Sequence, residues 1–183
     1  EVFEALSESE RAGIALYDMA TLAFVRNTLD TTDEFYEAEI EYVNNSTPTV
    51  VPFSLGFMDA VAASPFRPDV EARFGKQFFV KYELHKRGFC EANIPLMQRE
   101  SKLTTEYQKI MATCEIDFDG KTLNLTGVQK YFEHDDRAVR AAALKAYSDF
   151  YHANESRLEE IWAELIEIRN EMGRNLGFEN FIP

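Results

Sequence analysis

The chain has 183 residues, 45% hydrophobic and 13% aromatic, with 19 basic side chains against 32 acidic ones. That aromatic content excludes disorder over the whole length, and the length favours one domain, or one with an appendage, whose core needs no disulfide or metal staple. A net charge of −13 argues against binding to nucleic acid or to an anionic membrane surface, because phosphates are repelled.

The first helix signal is Ser7-Glu8-Ser9-Glu10, a capping box ahead of an apolar run. The run, Ala12 to Val25, is apolar almost all the way round, and such a helix is expected to be buried on every side, with Asp18 and Thr21 as polar exceptions. Thr31 and Glu34 make a second capping box, opening a helix to about Val43. Arg26, Asp30 and Asp33 lie at helical spacing. They read either as a polar constellation facing a groove or, preferably, as an i, i+4 ion pair at a helix junction. Asn44 to Pro48 reads as a loop, with Thr47 capping a helix that runs from Pro48 to about Ala63. Ser64-Pro65 ends that helix. Short helices follow at Pro68–Phe74 and Gln77–Lys86, stopped by Gly75 and Gly88.

A helix is expected to start near Asn93 and Pro95, with Thr104 or Thr105 capping another over Tyr107–Ala112. The period then changes. Cys114, Ile116 and Phe118 alternate with acidic residues, Asp119-Gly120 suits a type I′ turn, and Thr122 to Leu125 returns. This predicts one β-hairpin at about 114–125. Asp135 or Asp136 then caps a helix ending near Tyr151. Asn154 or Ser156 starts the last helix, striped by Leu158, Ile161, Trp162, Leu165, Ile168 and Met172. Gly177 and Phe178 form a Schellman-type stop. The expected fold is mainly α: a multi-helix antiparallel array over a single region, 1–183, with the hairpin as an insert.

No complete active site emerges. His-Glu-x-x-His is absent, and His85, His134 and His152 are scattered. Neither Glu-x-x-His pairs for a di-iron bundle nor a phosphate loop nor a nucleophile elbow occurs. Glu133-His134-Asp135-Asp136 reads as a solvated turn rather than a metal cluster. Cys90 and Cys114 have no Cys-x-x-Cys spacing, and nothing orients Cys90 against His85. Two cysteines fit a reducing compartment, so a cytoplasmic location is expected, and the three Asn-x-Ser/Thr sequons read as chance matches. No uncharged run approaches the ~20 residues of a membrane span. The opening at Glu1 and the apolar segment before Pro183 suggest an internal piece of a longer protein. No catalytic, cofactor-binding or metal residue is assigned. Arg26, Asp30 and Tyr36 are noted only as polar candidates for a groove.

Several blocks, in order, resemble the N-terminal region of the oligoendopeptidase F family, zinc metallo-oligopeptidases related to thimet oligopeptidase. They are Met19 to Tyr36 (with Asp30-Thr31-Thr32-Asp33-Glu34-Phe35-Tyr36), Ser64-Pro65-Phe66-Arg67, Phe74-Gly75-Lys76, Glu115 to Leu125, Asp136 to Arg140, and Ile168 to Phe181. The resemblance covers well under half of a family member. It implies a parent enzyme that hydrolyses short peptides, with His-Glu-x-x-His and a third Glu ligand lying downstream of this chain. Zinc is expected in the parent and not in this stretch, which is expected to be inactive alone and to form a helical wall of a substrate channel. The implied partners are short peptides and the missing catalytic half. An exposed apolar face toward that half makes self-association of the fragment an expectation. The alternatives are a stand-alone acidic helical adaptor that grips partner peptides and, more weakly, a carboxylate-metal bundle.

Overall fold

The computed structural model of the chain describes residues 1–182. It is 81% helical, and among the described residues it has seven α-helices and one two-stranded antiparallel sheet, the mainly α class expected. The backbone groups into two compact units. One comprises Glu1–Arg99 and the segment from Arg169 onward, and the other Glu100–Ile168.

In the first unit, α1 (Val2–Leu29) starts well before the expected cap. Ser7 to Glu10 lie inside the helix and are exposed. The reason is packing: Val2, Phe3 and Leu6 lie against a buried cluster of Val61, Val70 and Phe79, and burying them offsets the cost of further helical residues. A tight turn leads into α2 (Glu34–Ala63). Its N-cap is Asp33, not Thr31. The Asp33 carboxylate accepts the amides of Phe35 and Tyr36 at 2.9 and 3.0 Å, neutralising two orphan donors.

The loop expected at Asn44–Pro48 does not form, and α2 runs through both Pro48 and Pro52. A proline inside a helix deprives the carbonyl four residues back. The carbonyls so deprived are those of Asn44 and Pro48; side chains bond other carbonyls of the same stretch, Thr47 Oγ1 donating to Val43 O at 2.8 Å, Thr49 Oγ1 to Ser46 O at 2.7 Å, and Gln98 Nε2 to Asn45 O at 2.6 Å. After Ser64-Pro65 the chain turns 105° into α3 (Arg67–Phe74). Gly75, at φ 81°, ends it, and α4 (Gln77–Arg87) ends at Gly88.

A 3-10 turn, Glu91–Asn93, leads into α5 (Ile94–Ala112), which is continuous through the expected break. Thr104 does not cap; its hydroxyl donates back to Glu100 O at 2.9 Å. In the second unit, β1 (Ile116–Phe118) pairs with β2 (Lys121–Leu123), Ile116 opposite Leu123 and Phe118 opposite Lys121. Asp119 (φ 54°) and Gly120 (φ 68°) are both left-handed, as a type I′ turn requires. The strands are shorter than 114–125, because Asn124 leaves the ladder to cap α6 (Leu125–Gln129), accepting Gly127 N–H at 2.8 Å. This hairpin is not isolated. Ile116 joins Cys114, Val128 and Ala143 in a core flanked by Phe118, Phe132, Tyr147 and Phe150.

Asp136 accepts Ala138 N–H at 2.7 Å ahead of α7 (Arg137–Asn175), one helix of 39 residues where two were expected. Asn154 does not start a new helix; its amide donates to Phe150 O at 2.8 Å within α7. Of the expected stripe, Ile161, Ile168 and Met172 are buried, but Trp162 points outward and is 65% exposed. The helix ends as a Schellman motif. Gly177 (φ 88°) donates to Arg174 O at 2.9 Å and Phe178 to Gly173 O at 3.0 Å. Beyond it the chain folds back over Gly173, where an added Cβ would meet Asn180 O at 2.4 Å. Buried Asn93 donates to Met172 O at 3.2 Å and accepts Asn175 Nδ2 at 2.7 Å, fastening the start of α5 to the end of α7 within the first unit.

Candidate functional site

The polar residues singled out near the first helix junction are each engaged locally. Arg26 donates to Glu39 Oε1 at 2.7 Å, thirteen residues away across the turn, in place of the i, i+4 pair expected with Asp30. Asp30 Oδ1 accepts both the amide and the hydroxyl of Thr32, at 2.9 and 2.7 Å, which lowers its carboxyl below the usual range. Asp33 is the α2 cap, and Tyr36 packs edge-on to Phe35. Glu39 Oε2 is buried and has no hydrogen-bond partner among the described residues. The constellation is therefore a junction clamp with one unsatisfied carboxylate oxygen, and it offers no converging set of reactive groups.

Two clusters were not legible in sequence. In the first unit Asp59 Oδ1 accepts from both Tyr82 and Lys86, which come from α4, twenty-three and twenty-seven residues on. The Lys86 hydrogen bond is the main influence holding the Asp59 carboxyl down. Tyr82 is raised chiefly by desolvation, then by Asp59. Nearby, Arg67 lies 4.5 Å above the Phe79 ring and 3.6 Å from Glu83. In the second unit Arg157 forks onto Glu106, Nε to Oε1 at 2.6 Å and NH2 to Oε2 at 2.7 Å, and NH1 reaches Glu160 at 2.9 Å. These hydrogen bonds, Glu106 first, raise the Arg157 guanidinium further above the range in which it could lose its proton. The Tyr151 hydroxyl, 3.4 Å from Tyr147, is pushed up to about 12, mainly by that contact. Strong pairing of this kind fixes the geometry of these side chains.

The residues do not fit a zinc site. Among the described residues no group of three or more His, Cys, Asp and Glu side chains converges. His134 Nδ1 accepts Asp136 N–H at 3.1 Å and its ring stacks on Tyr131, while His152 Nδ1 lies 3.4 Å from Glu155. His85 sits in the last turn of α4. Cys90 and Cys114 are free thiols, and burial pushes Cys114 up. Also among the described residues, no single helix is long and apolar enough to cross a membrane.

The largest departure from expectation is α1. The apolar run is not buried: Tyr17 is 72% exposed and Met19 66%, and Ile14, Leu16, Leu22 and Phe24 are exposed too. Only Ala23 and Asn27 are buried in this helix.

Residues 1–89 match the family model described as Peptidase M3 N-terminal domain. Three solved structures are similar along most of the chain. A structure assigned to oligoendopeptidase F from Bacillus anthracis str. Ames has 33% identity and a TM-score of 0.84, covering 89% of this chain and 30% of its own. A second oligoendopeptidase F structure has 32% identity and a TM-score of 0.89, covering 99% of this chain and 32% of its own. PZ peptidase A, solved with an inhibitor, has 34% identity and a TM-score of 0.84, covering 90% of this chain and 29% of its own. The chain thus spans about a third of the length of these structures. Among curated protein sequences none matches it.

Proposed function

We propose, from a chain whose fold is that of the N-terminal region of oligoendopeptidase F, that it is the N-terminal helical part of a cytoplasmic zinc metallo-oligopeptidase acting on short peptides. The observation that carries this reading is the likeness to the second oligoendopeptidase F structure, 32% identical with a TM-score of 0.89 over 99% of the chain. Fold likeness alone is a weak guide to function; likeness at this identity, with a matching Peptidase M3 N-terminal domain model, is a stronger one. In this reading the stretch contributes a wall of the channel that admits extended peptides and excludes folded proteins. In the same reading the metal and its ligands come from polypeptide outside these residues, as the resemblance to the family implies.

The test is a cleavage assay on two samples, this chain and the longer protein that contains it, each supplied with zinc. Fluorogenic peptides of graded length and a folded protein serve as substrates. The longer protein is expected to cleave short peptides, to spare the folded protein and to lose activity with a chelator, while this chain stays silent. Chelator-sensitive cleavage by this chain alone overturns the assignment of its role. A longer protein that captures peptides without cleaving them favours the adaptor instead.

A further inference from the structure

Residues 66–88 reverse the sign of the chain. They carry six Lys or Arg against three Asp or Glu, where the whole chain carries 19 against 32. Some of these cations are engaged within the fold, Arg67 by Glu71 and Glu83, and Lys86 by Asp59. Arg73 stands over the rings of Phe3 and Phe74. Lys76, Lys81 and Arg87 are exposed and have no carboxylate partner among the described residues. Successive helical residues turn by about 100°, which puts Lys76, Val80, Leu84 and Arg87 within about 80° of one another around α4. Lys76 is the N-cap residue but already has helical φ and ψ, so it belongs to this stripe. All four are exposed, Leu84 by 61%. The inward side of α4 is occupied, with Phe79 buried beside Val61 and Val70 and Tyr82 donating to Asp59. The outer stripe therefore runs cation, apolar, apolar, cation over about 16 Å, with Lys81 beside it. Glu83, at its edge, is turned to Arg67 at 3.6 Å, and Asp69 lies away in the first turn of α3.

Charge and order choose the occupant. Unpaired cations at both ends call for two carboxylates, which fix register and turn away cationic partners. Val80 and Leu84 between them call for apolar side chains. A nucleic acid or an anionic bilayer extends its charge far past a patch of about 16 Å and meets the acidic remainder of the chain, whereas two carboxylates at Lys76 and Arg87 sense chiefly the charges within about 8 Å. A convex stripe with this spacing is matched by a second helix, packed at about 8–10 Å with its side chains between those of α4. We propose that the outer stripe of α4 docks an amphipathic helix of a partner protein, whose apolar residues cover Val80 and Leu84 and whose carboxylates, about three turns apart, meet Lys76 and Arg87. The proposal is independent of the peptidase reading.

The experiment follows the fluorescence anisotropy of a labelled, stapled helical peptide with Leu on two successive turns and Glu one turn beyond each end. The longer protein that contains the chain is titrated into it, with chelator present to keep the peptide intact. Saturable binding that weakens as salt rises is expected. A peptide with Gln in place of Glu, and the native peptide against Lys76→Glu with Arg87→Glu, are each expected to bind about tenfold more weakly. The double variant is expected to bind instead a peptide with Lys in place of Glu, which separates lost docking from lost folding. Leu84→Ser is expected to weaken the original peptide by about fivefold, and Lys145→Glu, paired with Asp149 on α7, to leave it unchanged. No saturable binding, equal binding of the Gln peptide, or failure of the charge swap in a variant with native circular dichroism overturns the proposal. Tighter binding of oligothymidylate or of phosphatidylserine vesicles, lost with the double variant, overturns it in favour of a polyanion. A dimer in sedimentation that Arg87→Glu dissolves overturns it in favour of a second copy.

Discussion

Phe79 is the largest fully buried side chain and is 1% exposed, packed with Val61 and Val70 where α2, α3 and α4 meet. Replacing it with Ala removes a ring that buries about 200 Å². At about 25 cal/mol per Å² this is about 5 kcal/mol. A compact denatured chain trims it by about a quarter, to about 4 kcal/mol, within the span of about 3–5 kcal/mol seen for Phe to Ala in cores. The Arg67 guanidinium loses its aromatic face at the same time, a further ~0.5–1 kcal/mol for a partly exposed cation. Native-state hydrogen exchange of α3, α4 and the end of α2 is the assay. Phe79→Ala should cost these amides protection by roughly a thousandfold, the equivalent of about 4 kcal/mol. Phe53→Ala, at a site 78% exposed on α2, should shift them by no more than about 0.5 kcal/mol. Equal effects of the two substitutions, or a Phe79→Ala loss below about 1 kcal/mol, would refute the view that this cluster organises the first unit.

Asp59, held below its ordinary 3.8 by Lys86 first and Tyr82 second, contributes stability above that ordinary value and loses it as pH falls through the lowered one. The melting-temperature gap between the native chain and Asp59→Asn should therefore be full at neutral pH and close in acid; a constant gap would contradict the pairing. Gly120→Val forces a β-branched residue to φ 68° and should destabilise the hairpin by about 1–2 kcal/mol. Exchange of the Ile116–Leu123 amides reads this, and unchanged rates would rule out the type I′ geometry.

What was legible in the sequence was local. Asp119-Gly120 dictates a turn whatever surrounds it, and Gly177-Phe178 dictates a helix stop, so both were placed correctly. Helix starts inferred from Ser, Thr and Asn fared worse, for one physical reason. Thr47, Thr104 and Asn154 can cap a following helix or donate backward to a carbonyl in the preceding turn, and in each case the backward bond formed. Three apparent breaks were thus interior positions of α2, α5 and α7. The polar clusters were opaque because Asp59 with Lys86, and Arg157 with Glu106, are joined only by tertiary packing. The apolar run of α1 does form a helix, but the expectation that it is buried on every side fails, since Tyr17 and Met19 are exposed and only Ala23 and Asn27 are buried; composition carries no information about what packs around a helix.

At Gly173 the place of a side chain is taken by the Asn180 carbonyl. Any other L-residue at that position must evict the returning backbone, since the obstruction is main chain and cannot rotate aside. The course of the backbone at Asn180 and Phe181 is thus set by a missing methyl group seven and eight residues earlier.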